Sequence, residues 1–505
     1  MKPLYSVAQI RAIEQAAAAT LEPGTLMQRA GQAAAAMALA LLAGQANRSV
    51  LLLAGPGNNG GDALEAAANL SHVSAGVDVT VIHIQGQAPV SDETARALAR
   101  AQASQVRFID ELPAGDPGLL IDGLFGIGLT RPLDGSARAL VEAVNALGWT
   151  VLALDVPSGL DADTGNVVGE YGVAMRATHT LTFIGDKPGL HTADGRDHAG
   201  AVQVDPLAID PELFPPAVAE LNEPALFAAQ LKPRPHNSHK GSFGDVAIVG
   251  GAHGMAGAGM LAARGALFTG AGRVLVAALD PGPAFDSVQP EIMFRDAASY
   301  AVDNGTLVIG PGMGGSAHAM RLLAGALAGD AALVLDADAL NLISASVDLQ
   351  QRLTSRAGAK LLTPHPLEAA RLLGVTSAEI QRDRLAAARR IAGRFGATVV
   401  LKGSGSVIAS PDGAAVINTT GNPGLATAGT GDILAGICGS LLAQRWPVRA
   451  AALGAVWIHG AAADRLVAQG VGPIGMCAGE LPAAARAVLN ELVADAVRPG
   501  GRPQS

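Results

Sequence analysis

Short, almost wholly apolar runs that alternate with alanine-rich stretches constrain this chain more than any other feature. The first half carries "SVLLLAG" from residue 49, "VDVTVIHI" from 77, "LLIDGLFG" from 119, "TVLALDVPSG" from 150 and "THTLTFIG" from 178. The second half carries "GDVAIVGG" from 244, "GRVLVAAL" from 272, "GTLVIGPG" from 305, "AALVLDADAL" from 331, "AKLLTPHP" from 359 and "ATVVLKGSG" from 397. A strand that is apolar on successive residues has no face to offer to water, so it belongs in a parallel sheet covered on both sides by helices. The pattern predicts an α/β protein of two domains, the first a Rossmann-like doubly wound sheet and the second another α/β domain.

At 505 residues the chain exceeds one ordinary core. Between about 205 and 240 it turns proline-rich, in "DPLAIDPELFPPAVAELNEP" and "LKPRPHNSHKGSFG". Proline removes backbone donors and interrupts elements, so the boundary is placed there, with domains over 1–215 and 226–505. Hydrophobic residues make up 49% and charged residues 16%, which excludes a disordered polyelectrolyte. The net charge is −9 without a cluster of Lys and Arg, which argues against a nucleic-acid partner. "MKPLYSVAQIRAIEQ" is broken by Arg11 and Glu14 before a signal-type core can form. "AAAAMALALLAG" is far short of the roughly 20 residues of a membrane span, so no membrane role is expected. The two cysteines, Cys438 and Cys477, both read as lying in apolar surroundings, leave no disulfide framework, and a reducing cytoplasm is expected.

In open parallel sheets, ligands lie outside the carboxyl ends of the strands. "LLLAGPGNNGGDALEAA" has that grammar: a strand, then Gly55 and Gly57, then Asn58, Asn59, Gly60, Gly61 and Asp62 at the mouth of a helix. It lacks the Gly-Lys-Ser ending of a Walker loop and the spacing of G-x-G-x-x-G. Glycine after a strand is commonly mere turn chemistry, but paired asparagines bring amide donors and acceptors that a turn does not require. "IDGLFGIGLTRP" adds Asp122, Gly126, Gly128 and Arg131, and "LALDVPSGLDADTG" adds Asp155, Ser158 and Asp161. Asp122 and Asp161 could each be a cap or turn residue. Asp155 is less readily a turn residue, because it ends the apolar run "VLAL" where a substrate should lie.

These three loops resemble the YjeF N-terminal family, the NAD(P)H-hydrate epimerases, over roughly residues 1–210, with "NNGGD" and "DVPSGLDADTG" the most specific motifs. The resemblance implies epimerisation of NADHX or NADPHX, the hydrated reduced dinucleotides. Carried onto this chain, Asn58, Asn59, Gly60, Gly61 and Asp62, together with Gly126, Ile127, Gly128, Leu129, Thr130, Arg131 and Pro132, would hold the dinucleotide. Asn59, Asp122 and Ser158 would give oxygens to a potassium ion, and Asp155 would touch the substrate; epimerising a carbon that bears a hydroxyl next to a ring nitrogen needs proton transfer, which makes Asp155 the candidate acid/base group. "GDKPG" departs from the expected pattern in carrying an acid before Lys187.

The second half places "GGAHGMAGAG" (250–259), "GPGMGG" (310–315), "TPHPLEAARLLG" (363–374), "KGSGS" (402–406) and "NPGLATAGTGD" (422–432) at strand ends. In "AGTGD", Gly429, Thr430 and Gly431 can converge their N–H groups on an anion, and Asp432 then faces it. A carboxylate beside phosphate repels it in the ground state, so its presence suggests a base for an attacking hydroxyl. The set resembles the ribokinase-like superfamily and, within it, the ADP- or ATP-dependent NAD(P)H-hydrate dehydratases across roughly 226–500. That implies nucleotide-driven dehydration of the S hydrate. Ala258, Gly312, His365 and Asp432 would contact the hydrate, while Lys402, Gly403, Ser404, Gly405, Ser406 and Gly431 would hold the adenine nucleotide, with magnesium bridging its phosphates.

His365, between two prolines, could instead be a rigid surface turn. His83, His179 and His459 lie in apolar elements and read as core residues. His236 and His239 have no partner set for zinc. Asp336 and Asp338 either cap a helix or face the cleft. Alanine-rich helices permit symmetric assembly, and a homo-oligomer is expected. The rival reading is a ribokinase-like small-molecule kinase fused to a non-catalytic binding module of the YjeF type. Convergent oxygens at Asn59, Asp122, Asp155 and Ser158 weigh against such a module.

Overall fold

A computed structural model describes residues 2–73, 76–86, 91–280, 282, 284–299 and 305–498. The chain divides into two compact units, Lys2–Glu220 and Leu221–Ser505.

In the first unit the apolar runs become β1 (Ser49–Ala54), β2 (Asp78–His83), β4 (Leu119–Gly123), β5 (Val151–Leu154) and β6 (His179–Phe183). Two edge strands join them, β3 (Arg107–Phe108) and β7 (Ala201–Asp205). The sheet runs β3-β2-β1-β4-β5-β6-β7 with every pair parallel, which is doubly wound with its switch between β1 and β4. Period-2 geometry explains why β1 is apolar throughout. Val50, Leu52 and Ala54 feed one core and Leu51 and Leu53 the other. β7 escaped the sequence reading because, as an edge, it buries none of its residues fully and so needs no apolar run. Five helices position the site: α1 (Val7–Ala18), α2 (Thr25–Leu41), α3 (Asn58–Val73), α4 (Asp92–Gln102) and α5 (Gly135–Leu147). α1 begins in a capping box in which Ser6 Oγ accepts from Gln9 N, and Gln9 Oε1 accepts from Ser6 N.

In the second unit the runs become β8 (Asp245–Gly250), β9 (Arg273–Ala278), β11 (Thr306–Ile309), β12 (Ala332–Leu335), β13 (Lys360–Leu362) and β14 (Thr398–Leu401). β10 (Met293–Asp296) lies outside β9, and β15 (Val407–Ala409) and β16 (Ala415–Ile417) extend the other side. The order is β16-β15-β14-β13-β12-β11-β8-β9-β10, parallel from β14 to β10 and antiparallel across β14, β15 and β16. Short, fully buried β15 and β16 were not anticipated, since three-residue runs carry too little pattern to recognise.

Two helices matter most to this unit's site, α6 (Ala256–Phe268) and α9 (Thr430–Ala443), with α7 (Ala337–Ala345) and α8 (Pro366–Leu373) between them in sequence. α6 and α9 touch backbone to backbone. A Cβ on Gly436 would stand 1.9 Å from the carbonyl oxygen of Ala262, and one on Gly265 would stand 2.5 Å from that of Ile433. Gly436→Ala is therefore expected to pry the helices apart and cost ~1–3 kcal/mol. Calorimetry should show a lower midpoint for this unit, and an unchanged midpoint would mean that the seam has slack.

Candidate active sites

The carboxyl ends of β1, β4, β5 and β6 open onto a cavity of about 1250 Å³. Asn58, Asn59, Asp62, Gly126, Ile127, Gly128, Leu129, Arg131 and Asp155 of the anticipated set line it. Gly60 and Gly61 do not; they are packed beneath, and a Cβ on Gly60 would sit 1.8 Å from the carbonyl oxygen of Gly55. Close backbone packing is thus what the loop's glycine demands at that position. Thr130 and Pro132 are exposed and outside the lining. Asp62 does not sit at a helix mouth as expected, because α3 already begins at Asn58 and Asp62 lies a full turn inside it.

Asp155 leaves β5 at φ +64°, a left-handed conformation that Asp tolerates better than most residues. That turn aims its carboxylate at the 126–128 loop. Oδ2 accepts from Ile127 N at 3.1 Å, and a Cβ on Gly126 would lie 2.7 Å from Oδ2. Oδ1 accepts from Lys187 Nζ at 2.6 Å. Lys187 is wholly buried and was not anticipated as a site residue, although it follows the noted extra acid. The other missed residue is Glu14 of α1, which lines the cavity with Asp62 and Asp155. Burial and then Asp155 and Glu93 raise the Glu14 pKa. Burial, followed by Asp155 and Glu14, holds Asp62 well above the carboxylate range.

Below the cavity floor Asp122 is fully buried, and burial raises its pKa against hydrogen bonds from Ser158 and Leu124. Its Oδ1 accepts from Ser158 Oγ at 2.7 Å and Leu124 N at 3.2 Å, and its Oδ2 from Ser158 N at 2.8 Å. Asp122 thus makes one local turn bond, to Leu124 N two residues on, and two long-range bonds that tie it to Ser158. Asp161 is a turn residue, its Oδ1 accepting from Asp163 N, Thr164 N and Thr164 Oγ1. Asn59 is 7% exposed, and neither its Oδ1 nor its Nδ2 has a protein partner. A buried amide with both ends unmet points to a ligand.

In the second unit Asp432 is the third residue of α9, which starts behind Gly429 at φ +90°. Lys402, just beyond β14, places Nζ 2.7 Å from Asp336 Oδ1, and Thr363 Oγ1 donates to the same oxygen at 2.8 Å. Asp336 holds the N-cap position of α7 but makes no cap bond; its buried carboxylate is taken up by Lys402 and Thr363 instead. Asp338 accepts from Gly314 N at 2.9 Å and ties the 310–315 loop to α7. A Cβ on Gly431 would lie 3.3 Å from Lys402 Nζ, and one on Gly312 would lie 3.1 Å from Ala258 Cβ. Two anticipated pairs are therefore adjacent, Lys402 with Gly431 and Ala258 with Gly312. Ser406 Oγ donates to Gly403 O at 3.2 Å and folds the "KGSGS" turn on itself. Arg384, fully buried, donates to the carbonyls of Leu401 and Lys402 and fixes the strand exit from below.

His365 caps α8 in a box: Nδ1 accepts from Leu367 N at 3.1 Å, and Glu368 Oε2 accepts from His365 N at 2.8 Å. The capping explains the sequence locally and leaves Nε2 at 3.2 Å from Glu368 Oε1. Burial lowers the His365 pKa, with the Lys402 charge adding to it. Glu368 was not anticipated, and burial raises its pKa to about 7 against the pull of Lys402. Burial and then Asp336 raise Asp432 to about 7 as well. For Lys402, burial disfavours the ammonium, yet Asp336 and Glu368 outweigh it and the pKa is raised.

His459 behaves as the core residue expected, buried behind the start of α9 and lowered to about 4 by burial. Cys438 is buried, whereas Cys477 is exposed, contrary to the apolar setting read from its neighbours. Among the described residues no helix is long and apolar enough to cross a membrane.

Two family models match the chain: one described as YjeF-related protein N-terminus over residues 23–189, and one described as NAD(P)H-hydrate dehydratase over 246–482. A bifunctional NAD(P)H-hydrate repair enzyme of Coxiella burnetii is 37% identical over 97% of this chain and 100% of its own. An ADP-dependent (S)-NAD(P)H-hydrate dehydratase of Neisseria meningitidis is 47% identical over 53% of this chain and 92% of its own. The ADP/ATP-dependent NAD(P)H-hydrate dehydratase from Bacillus subtilis, co-crystallized with ATP/Mg2+, is 30% identical over 54% of this chain and 99% of its own, with a TM-score of 0.49.

Proposed function

We infer the activity from one premise: the chain belongs to the family of bifunctional NAD(P)H-hydrate repair enzymes. It epimerises the R and S hydrates of NADH and NADPH and dehydrates the S form at the expense of ADP or ATP. We assign epimerisation to 1–215 and dehydration to 226–505. The observation that carries the reading in this structure is a pair of strand-end sites, each with an acid already engaged by a lysine: Asp155 with the wholly buried Lys187, and Asp336 with the partly buried Lys402 beside Asp432.

In the first site the 58–62 and 126–132 loops take the dinucleotide. Opening the ring at the hydroxylated carbon moves the hydroxyl proton to Asp155 and the carbon–nitrogen electron pair to the nitrogen, which takes up a proton; reclosure from the other face reverses both transfers. Asp62, which lines the same cavity as Asp155 and whose pKa is raised by burial, is our candidate source of that second proton. Asn59, Asp122 and Ser158 fit a weakly held hard cation such as potassium in the chemistry of their donors: Asp122 is a fully buried carboxylate bonded to Ser158, and the buried Asn59 amide oxygen has no protein partner. The ion would neutralise the buried charge and stiffen the floor.

In the second site Lys402 to Ser406 and Gly431 hold the nucleotide, and Ala258, Gly312, His365 and Asp432 face the hydrate. Asp432 takes the proton of the attacking hydroxyl as the phosphoryl group transfers. Phosphate then leaves with the carbon–oxygen pair as the ring nitrogen assists, and the released phosphate takes up the proton that the neighbouring carbon gives off. Among the described residues no group of three or more His, Cys, Asp or Glu side chains is arranged to hold a metal ion. A magnesium ion arriving with the nucleotide would need few protein ligands and would supply charge neutralisation there.

Racemic hydrate incubated with the purified chain is expected to convert completely to reduced dinucleotide when ADP or ATP is present. Recovery that stalls near half would leave dehydration without epimerisation, and release of a stable phosphorylated product would make the second unit an ordinary kinase.

A further inference from the structure

The ammonium of Lys187 has three acceptors: Asp155 Oδ1 at 2.6 Å, Thr182 Oγ1 at 2.6 Å and Phe183 O at 2.9 Å. Three protons meet three acceptors, so the head group stays where it is as long as the main chain at 187 does. That main chain follows a sharp reversal out of β6, with Ile184 at φ +69°. The reversal is secured beyond Lys187 as well as before it. Asp186 Oδ1 accepts from Lys187 N at 2.8 Å, and both Asp186 oxygens lie within hydrogen-bond reach of His191 Nε2, at 2.8 and 2.9 Å. Pro188–Leu190 is a single 3-10 turn, so the Asp186–His191 contact closes a ring around it. Both residues are buried, 6% and 8% exposed, and Asp186 is the acid the family pattern did not lead one to expect.

We propose that the Asp186–His191 pair is a positioning clamp for epimerisation: it holds the main chain of Lys187 and occupies the neighbouring carboxylate, so that the Lys187 ammonium serves Asp155. The inference rests on the reading of Asp155 as the acid/base group. Without His191 the buried Asp186 carboxylate would be left short of a partner and force a rearrangement of the turn that carries Lys187. His191 prevents this by lying within hydrogen-bond reach of both Asp186 oxygens. Neither clamp residue lines the substrate cavity, so the effect on chemistry passes through Lys187.

The test uses the full chain. Asp186→Ala and His191→Phe are each expected to lower the kcat of epimerisation roughly 10- to 100-fold, the scale of a displaced catalytic group, with KM for the hydrate held within about threefold. Dehydration of the S hydrate by the same preparations should keep its parental rate. Asp186→Asn retains an acceptor for both N–H groups and should restore most of the lost kcat, and the double variant should be no slower than the worse single one. Parental kcat in both single variants, or a loss confined to KM, overturns the clamp; if Asp186→Ala does not fold, His191→Phe decides. Asp155→Asn, assayed alongside, separates the two readings. Its retained activity would sink the acid/base assignment itself, whereas its inactivity beside unaffected clamp variants would sink the clamp alone.

Discussion

Asp155→Asn is expected to stop interconversion of the R and S hydrates, with a loss on the order of 10²–10⁴-fold, while the fold and the nucleotide-driven step survive. Asparagine is the informative replacement. It adopts the left-handed backbone of residue 155 about as readily as aspartate, and its amide oxygen can still accept from Lys187. What it cannot do is take a proton. Removing the charge opposite a wholly buried lysine will also cost stability, so circular dichroism and a melting curve should accompany the assay. Stereochemical exchange is read by separating the two hydrates over time without nucleotide present. A variant that folds and exchanges them at the parental rate takes Asp155 out of the mechanism.

Asp432→Asn should abolish dehydration while nucleotide still binds. The wild-type pH profile gives an independent check. Burial and the Asp336 charge raise Asp432 to about 7, so the base is protonated and idle below that pH and ionised above it. Dehydration should thus rise with pH, falling by about tenfold per unit on the acid side. Glu368, also held at about 7, faces the same lysine, so the observed midpoint belongs to the pair. Calorimetric titration with ADP and a progress curve at reduced-nicotinamide absorbance measure the two halves. Weakened binding with normal turnover at saturating nucleotide would make Asp432 a binding group instead.

How much could be read from the chain alone differs between parts for physical reasons. Central strands were evident because both of their faces are buried and nearly every residue is apolar, as in β1 and β11, where only the first residues, Ser49 and Thr306, are polar. Edge strands β3 and β7 were not, since a strand with one open side tolerates polar residues. Site loops were visible because strand ends carried glycine, amide and acid in unusual density. Their purposes were less visible. Gly60 is required by Gly55's carbonyl, and Asp62 sits inside its helix, which only coordinates reveal.

The sequence by itself determined two α/β units and the glycine-rich segments around Asp155 and Asp432, because backbone burial and turn chemistry act over a few neighbouring residues. Tertiary structure alone decided which charges meet. Lys187 reaches Asp155 across 32 positions and Lys402 reaches Asp336 across 66, and Glu14 joins the first cavity from a helix far upstream. Pairing of that kind depends on how strands are ordered in a sheet, and no local pattern of residues records it.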